Sequence, residues 1–128
     1  EAVVHGLWAP PGQDADGWHL IDLPIRVDWP RRPLSIVDPV AGKPSRTRCR
    51  LLAAAAGTSR LALEPVTGRS HQLRLHLAAR GHPILGDALY APPDVQRLSP
   101  RLLLHACALE LAHPVSGMPM RFDSPAPF

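Results

Sequence analysis

Lysine is nearly missing from this sequence: Lys43 is the only one among fourteen basic residues, and the other thirteen are arginines. Cysteine is as scarce. Cys49 and Cys107 can neither staple a secreted miniprotein nor build a cysteine-rich zinc module. Both read as small strand-core residues rather than as a redox pair. No uninterrupted apolar run approaches the ~18–20 residues of a membrane-spanning helix, so no such helix is expected. The opening Glu1-Ala2-Val3-Val4 lacks the basic start and apolar stretch of a secretory signal. A cytoplasmic location is the expectation. The common catalytic and nucleotide-binding signatures are also absent: no G-x-x-x-x-G-K-[ST], G-x-G-x-x-G, G-x-S-x-G or H-E-x-x-H occurs.

What remains is 128 residues, 45% hydrophobic and 20% charged, enough for one globular domain and too apolar for a disordered chain. Sixteen prolines are scattered without a repeat. They punctuate short apolar runs, which favours many short strands and fixed turns over a helical bundle. Charge is unevenly placed. Ser45 to Arg80 holds seven arginines and one acid, Glu64, whereas the first 44 residues carry six acids and four basic side chains. Arginine forks match phosphates and stack on bases, so a polyanion is the natural partner of such a stretch. The plainer reading is a set of solvated strand and helix faces.

The pattern predicts a strand over residues 1–6, a loop over 9–17, and short extended pieces from Trp18 to Trp29 around Pro24. It places a brief run at Leu34–Val37, a turn at Pro39–Pro44, and a hairpin from residues 45–56 and 60–65 joined at Gly57-Thr58-Ser59. One main helix follows. Arg69 to Arg80 fills it, Thr67 or Ser70 caps it, and Gly81 ends it before Pro83. A connector then leads to an alternating strand over Leu102–Ala112, with Leu103, His105, Cys107, Leu109 and Leu111 on one face. His113–Gly117 turns it into a last strand, Met118–Asp123. Six or seven strands to one helix make an α+β layout with a mixed, mostly antiparallel sheet.

Within the helix, at ~100° per residue, Arg69, His76 and Arg80 fall on one basic stripe. Arg74 instead leaves a flank shared with Leu77 and Ala78. A guanidinium there needs an anionic partner, because an isolated buried charge costs several kcal/mol. That partner is either a structural carboxylate, Glu64 or Asp87, or the carboxylate or phosphate of an active site. His71 and His76, five residues apart, do not share a helical face as a zinc pair would. No metal site is expected, and the histidines read as turn-capping and solvated groups.

Two segments carry a resemblance: Leu63-Glu64-Pro65-Val66-Thr67-Gly68-Arg69-Ser70-His71-Gln72-Leu73-Arg74, and Gly81-His82-Pro83-Ile84-Leu85-Gly86-Asp87 running on to Tyr90. With Arg101-Leu102-Leu103-Leu104-His105-Ala106 and His113-Pro114, they resemble the RluA family of RNA pseudouridine synthases. Asp28-Trp29-Pro30 through Arg32-Pro33, and Gly42-Lys43-Pro44, are similar to the subgroup that modifies 23S rRNA and tRNA. The resemblance implies a cofactor-free, metal-free isomerase. It would act as a monomer on structured rRNA or tRNA, flipping a uridine into a cleft. It places Arg74 as the active-site arginine that pairs with the catalytic aspartate, and Leu104 on the uracil pocket. Arg69, His71, Gln72 and Arg101 would shape the site or contact RNA. The family's aspartate lies in an H-R-L-D-x-x-T-S-G segment, and none of this chain's aspartates has that context. Ala2–Gly6 is similar to the end of the family's Y-x-A-x-V-x-G strand, so the active-site tyrosine would fall just before Glu1. The resemblance therefore implies that residues 1–128 are the C-terminal portion of a catalytic domain and inactive alone. The rival expectations are a non-catalytic RNA-binding module and a scaffold whose arginines are surface charge.

Overall fold

The computed structural model describes residues 1–128. Eight strands form: β1 Ala2–His5, β2 Trp18–Asp22, β3 Ile25–Val27, β4 Ser35–Val37, β5 Arg46–Ala55, β6 Thr58–Pro65, β7 Ala108–Ala112 and β8 Pro119–Asp123. Helix α1 covers Gln72–Ala79, and a single turn, α2, covers Pro93–Gln96. A 3₁₀ turn at Trp29–Arg31 separates β3 from β4. All pairings are antiparallel, and the main sheet runs β1-β6-β5-β2. The α+β expectation holds, with one strand more than anticipated and a second, minimal helix.

The β5–β6 hairpin turns on Ala56 and Gly57, both at positive φ, a pair that matches the right-handed twist of its strands. Alternation along β5 buries Thr47 and Cys49 and leaves Arg46, Arg48 and Arg50 on the opposite face. Against the buried face lies α1, through Leu77 and His76. Leu77 joins Ala2, Val4, Trp8, Ile21, Cys49, Leu61 and Ile84 in the apolar core, and His76 is buried beside it. Burial pushes the Cys49 thiol up to about 12, so it behaves as a small hydrophobe.

Three expectations need correction. First, the helix starts at Gln72, not Arg69, because His71 adopts a left-handed conformation (φ 56°) that no helix can include. Neither Thr67 nor Ser70 caps it. The Gln72 side chain reaches back instead, its Oε1 accepting the Arg69 N–H and the Thr67 hydroxyl. The stop is as expected: Gly81 is left-handed, with Gly81 N–H on Ala78 O and His82 N–H on Leu77 O. Second, Leu102–Ala112 is not one strand. Residues 103 and 105 bond to Val3 and Glu1 beside β1, and that ladder ends there. Only 108–112 pair again, with β8, in a separate hairpin on which Leu109 and Leu111 are exposed. Cys107 therefore sits outside any strand, half-buried against Glu1. Third, His113 caps its turn as expected, Nδ1 accepting the Val115 and Ser116 N–H groups, but other histidines are packed inside the fold. His76 is fully buried, so there is no basic stripe with Arg80, and His19 and His82 pack edge-on against Trp8.

Charge segregated along the sequence is partly neutralised in the fold. Acids from the first 44 residues meet the later arginines: Asp22 pairs with Arg46, Asp14 with Arg48, and Glu1 with Arg60. Glu64 takes Arg48 rather than Arg74.

Candidate active site

A cleft of about 350 Å³ opens where the loop between β6 and α1 meets Leu104, which is bridged to Ala2 of β1. Five of the six residues singled out from sequence border it: Arg69, His71, Gln72, Arg74 and Leu104. Leu104 is brought there by the pairing of 103–105 with β1. That pairing requires the preceding turn to pass close to Gly86, where a Cβ would lie 1.9 Å from the Arg101 carbonyl oxygen. Arg101 itself lies outside the cleft, its guanidinium 5.3 Å from the Phe128 ring centroid.

Arg74 is held by Asp87. Nε donates to Oδ2 at 3.0 Å and Nη2 to Oδ1 at 2.6 Å, a two-point grip that fixes the guanidinium plane. Asp87 is wholly buried, and its Oδ1 also accepts the Leu89 and Tyr90 N–H groups. Those bonds and Arg74 hold the carboxyl below its usual range although burial alone would raise it. Arg74 keeps 17% of its side chain exposed, and Nη1 has no partner within the chain. The pair thus borders the cleft with a permanently charged guanidinium whose Nη1 no group of the chain takes.

His71 stands beside it. Tyr90 Oη accepts the Ser35 N–H at 2.9 Å and lies 2.7 Å from His71 Nδ1. The phenol proton is then free to go to Nδ1, which leaves the ring's own proton on Nε2. Burial, then the nearby Arg74 charge, lowers the His71 pKa, so the neutral ring is favoured. A left-handed non-glycine residue is strained by ~1 kcal/mol or more, and here the strain coincides with the cleft.

Gln72 is buried with both ends of its amide engaged. Nε2 donates to Arg46 O and Thr47 Oγ1, while Oε1 accepts Thr67 and Arg69. It shapes the loop from inside. Thr47 in turn lies 2.9 Å from His76 Nδ1, and His76 Nε2 donates to Leu23 O. Arg69 donates from Nε and Nη2 to Pro44 O. Two members of the site were not singled out from sequence as functional, Asp87 and Tyr90; both lie in the Gly86-Asp87 to Tyr90 segment that follows the helix. Nowhere do three His, Cys, Asp or Glu side chains converge as metal ligands would.

Comparison with known proteins accords with this arrangement. Residues 13–79 match the family model described as RNA pseudouridylate synthase. The chain is 49% identical over 126 residues to the dual-specificity RNA pseudouridine synthase RluA of Escherichia coli K12, covering 98% of this chain and 56% of that protein. It is 45% identical over 129 residues to the Yersinia pestis protein of the same name, covering 61% of it. The solved structure of human RNA pseudouridylate synthase domain containing 1 superposes with a TM-score of 0.77 at 29% identity, covering 99% of this chain and 53% of that one. The chain thus spans little more than half the length of the relatives it matches. By that family match, the chain belongs to the RNA pseudouridylate synthases.

Proposed function

We propose that the complete polypeptide carrying these residues isomerises uridine to pseudouridine in rRNA or tRNA, working as a cytoplasmic monomer without a cofactor. Residues 1–128 would supply the C-terminal portion of its catalytic domain. The observation that carries this reading is Arg74, gripped by buried Asp87 with Nη1 left unpartnered, at a cleft that Leu104 also borders.

In such a reaction the N1–C1′ bond of the uridine breaks and a C5–C1′ bond forms. The hydrogen on C5 is lost to solvent and N1 gains a proton. A carboxylate must attack the sugar or take its proton, and the H-R-L-D segment of the family would provide it. Arg74 is suited to hold that carboxylate ionised and oriented, since a cation within hydrogen-bond reach stabilises the charged form. Asp87 keeps Arg74 from rotating away, so orientation is set before substrate arrives. Leu104 offers a flat apolar wall to the flipped base, while His71 presents a neutral Nε2–H donor. Arg69 and Arg101 would lie along the RNA backbone.

The test is tritium release from RNA labelled at uracil C5. The complete polypeptide should release tritium, and residues 1–128 alone should not. A complete polypeptide that binds RNA yet releases none would favour the non-catalytic RNA-binding module.

A further inference from the structure

Fourteen basic residues sit on this chain, and half of them are ion-paired: Arg26, Arg31, Arg46, Arg48, Arg60, Arg74 and Arg121 each meet a carboxylate within 4.0 Å. The arginine-rich strand β5 is therefore largely neutralised. The cations left without a carboxylate mark where an external anion would be drawn. Three of them, Arg32, Lys43 and Arg69, gather around one recess.

That recess has a volume of about 400 Å³ and lies between the β3–β4 hairpin and the loop leading into α1. Lys43 and Arg69 border it, and so does Trp29. Trp29 is 65% exposed, far more than packing would leave on a side chain of that size. It sits in the 3₁₀ turn, and Arg32 lies over its ring at 5.2 Å from the centroid, supporting one side by a cation–π contact. Arg69 is fixed by its two bonds to Pro44 O, which consume no charge and leave Nη1 free. The other arginine bordering the recess, Arg26, is spoken for by Asp38 at 2.6 Å. Ser70 adds a hydroxyl that has no partner in the chain, since only its carbonyl is engaged, by Ser35 Oγ. Arg69 borders both this recess and the Arg74 cleft, so the two are contiguous.

An exposed indole beside two unneutralised cations suits one ligand chemistry: an aromatic base joined to a phosphate. We propose that this recess is a second nucleotide subsite. A nucleotide flanking the target uridine stacks its base on Trp29 and places its phosphate between Lys43 and Arg69. The inference rests on the functional reading only in taking RNA as the occupant of the neighbouring cleft. Stacking on one aromatic is worth ~1–3 kcal/mol per base and is tolerant of sequence, so the subsite grips the strand rather than reads it.

The test uses the complete polypeptide and fluorescein-labelled heptauridylate RNA, followed by anisotropy over a salt series. Trp29→Ala should weaken binding by about 5-fold or more, and Trp29→Phe should recover most of it. Lys43→Ala should weaken binding and reduce the slope of log affinity against log salt by about 0.7, the loss of one phosphate contact to a single strand. Arg50→Ala, an unpaired arginine over Trp18 elsewhere on the sheet, should change neither. A heptamer of 5-iodouridine irradiated in the complex should cross-link to the peptide containing Trp29. Uridine monophosphate should compete far less well than the heptamer if a strand is the true occupant; equal competition per nucleotide would replace the strand by a free nucleotide and overturn the proposal. It is overturned equally if Trp29→Ala and Lys43→Ala bind as the unaltered protein does, or if the cross-link maps elsewhere. Tritium release by the unaltered protein separates the two readings. An inactive protein that still cross-links at Trp29 removes the isomerase and keeps the subsite. An active one whose Trp29→Ala variant binds normally removes the subsite alone.

Discussion

Asp87 is fully buried, and the one cation it meets, Arg74, remains partly open to the cleft. The carboxylate is therefore committed to the fold and the guanidinium is shared between fold and site. Asp87→Asn would leave Arg74 half-buried without a counter-charge. Breaking such a pair costs about 3 kcal/mol or more, and denaturant titration should show a loss near the lower end because Arg74 keeps an exposed edge. By contrast, Glu64→Gln, which removes one of the two exposed partners of Arg48, should cost no more than ~1 kcal/mol. Equal effects would mean that the Arg74–Asp87 pair is only another surface contact.

His71 is strained and bonded at once. Replacing it with glycine should relieve roughly 1 kcal/mol of left-handed strain and lose a hydrogen bond worth about the same, so stability should hardly move. Turnover in the complete polypeptide should nevertheless fall about 10-fold or more, since the Nε2–H donor leaves the cleft. A variant that melts early yet turns over normally per folded molecule would assign His71 to folding alone.

Most of the architecture was legible in the sequence, and the errors have physical causes. Turn residues located β1 through β6 and the last hairpin because proline and glycine bound the short runs, and alternation read the start of β5 correctly, where Thr47 and Cys49 are buried between arginines. Leu102–Ala112 misled, since alternation reports which way side chains point and not which strand receives them. The helix start was misplaced because Arg69 and Ser70 have acceptable propensities; only the tertiary bonds of Gln72 to Thr67 and Arg69 explain why the chain turns there. At the site, helical geometry isolated Arg74 but left its partner open between Glu64 and Asp87. The choice depends on how far the 81–87 connector folds back, which no local pattern encodes.

His76 supplies a pH signature. Burial lowers its pKa below the ordinary value near 6.5, although the Leu23 carbonyl that its Nε2 bonds works in the other direction. Because the unfolded chain then binds more protons than the folded one, its contribution is complete above about pH 6.5 and is lost as pH falls from there through the folded pKa. His71 shifts in the same direction. Melting temperature should therefore drop between pH 7.5 and pH 5, and His76→Gln should flatten that slope while lowering stability at pH 7.5. An unchanged slope in the variant would remove His76 from the account.

The central claim is that Arg74 serves the chemistry and not merely the fold. Arg74→Lys in the complete polypeptide keeps the charge and loses the planar grip. Losing one charge-assisted contact in the reacting complex is worth ~1.5–3 kcal/mol, at least about 10-fold in rate. Tritium release per folded molecule should fall by that factor, whereas Arg80→Lys at the exposed end of α1 should release tritium at the original rate. A fully active Arg74→Lys enzyme, however unstable, would contradict the assignment.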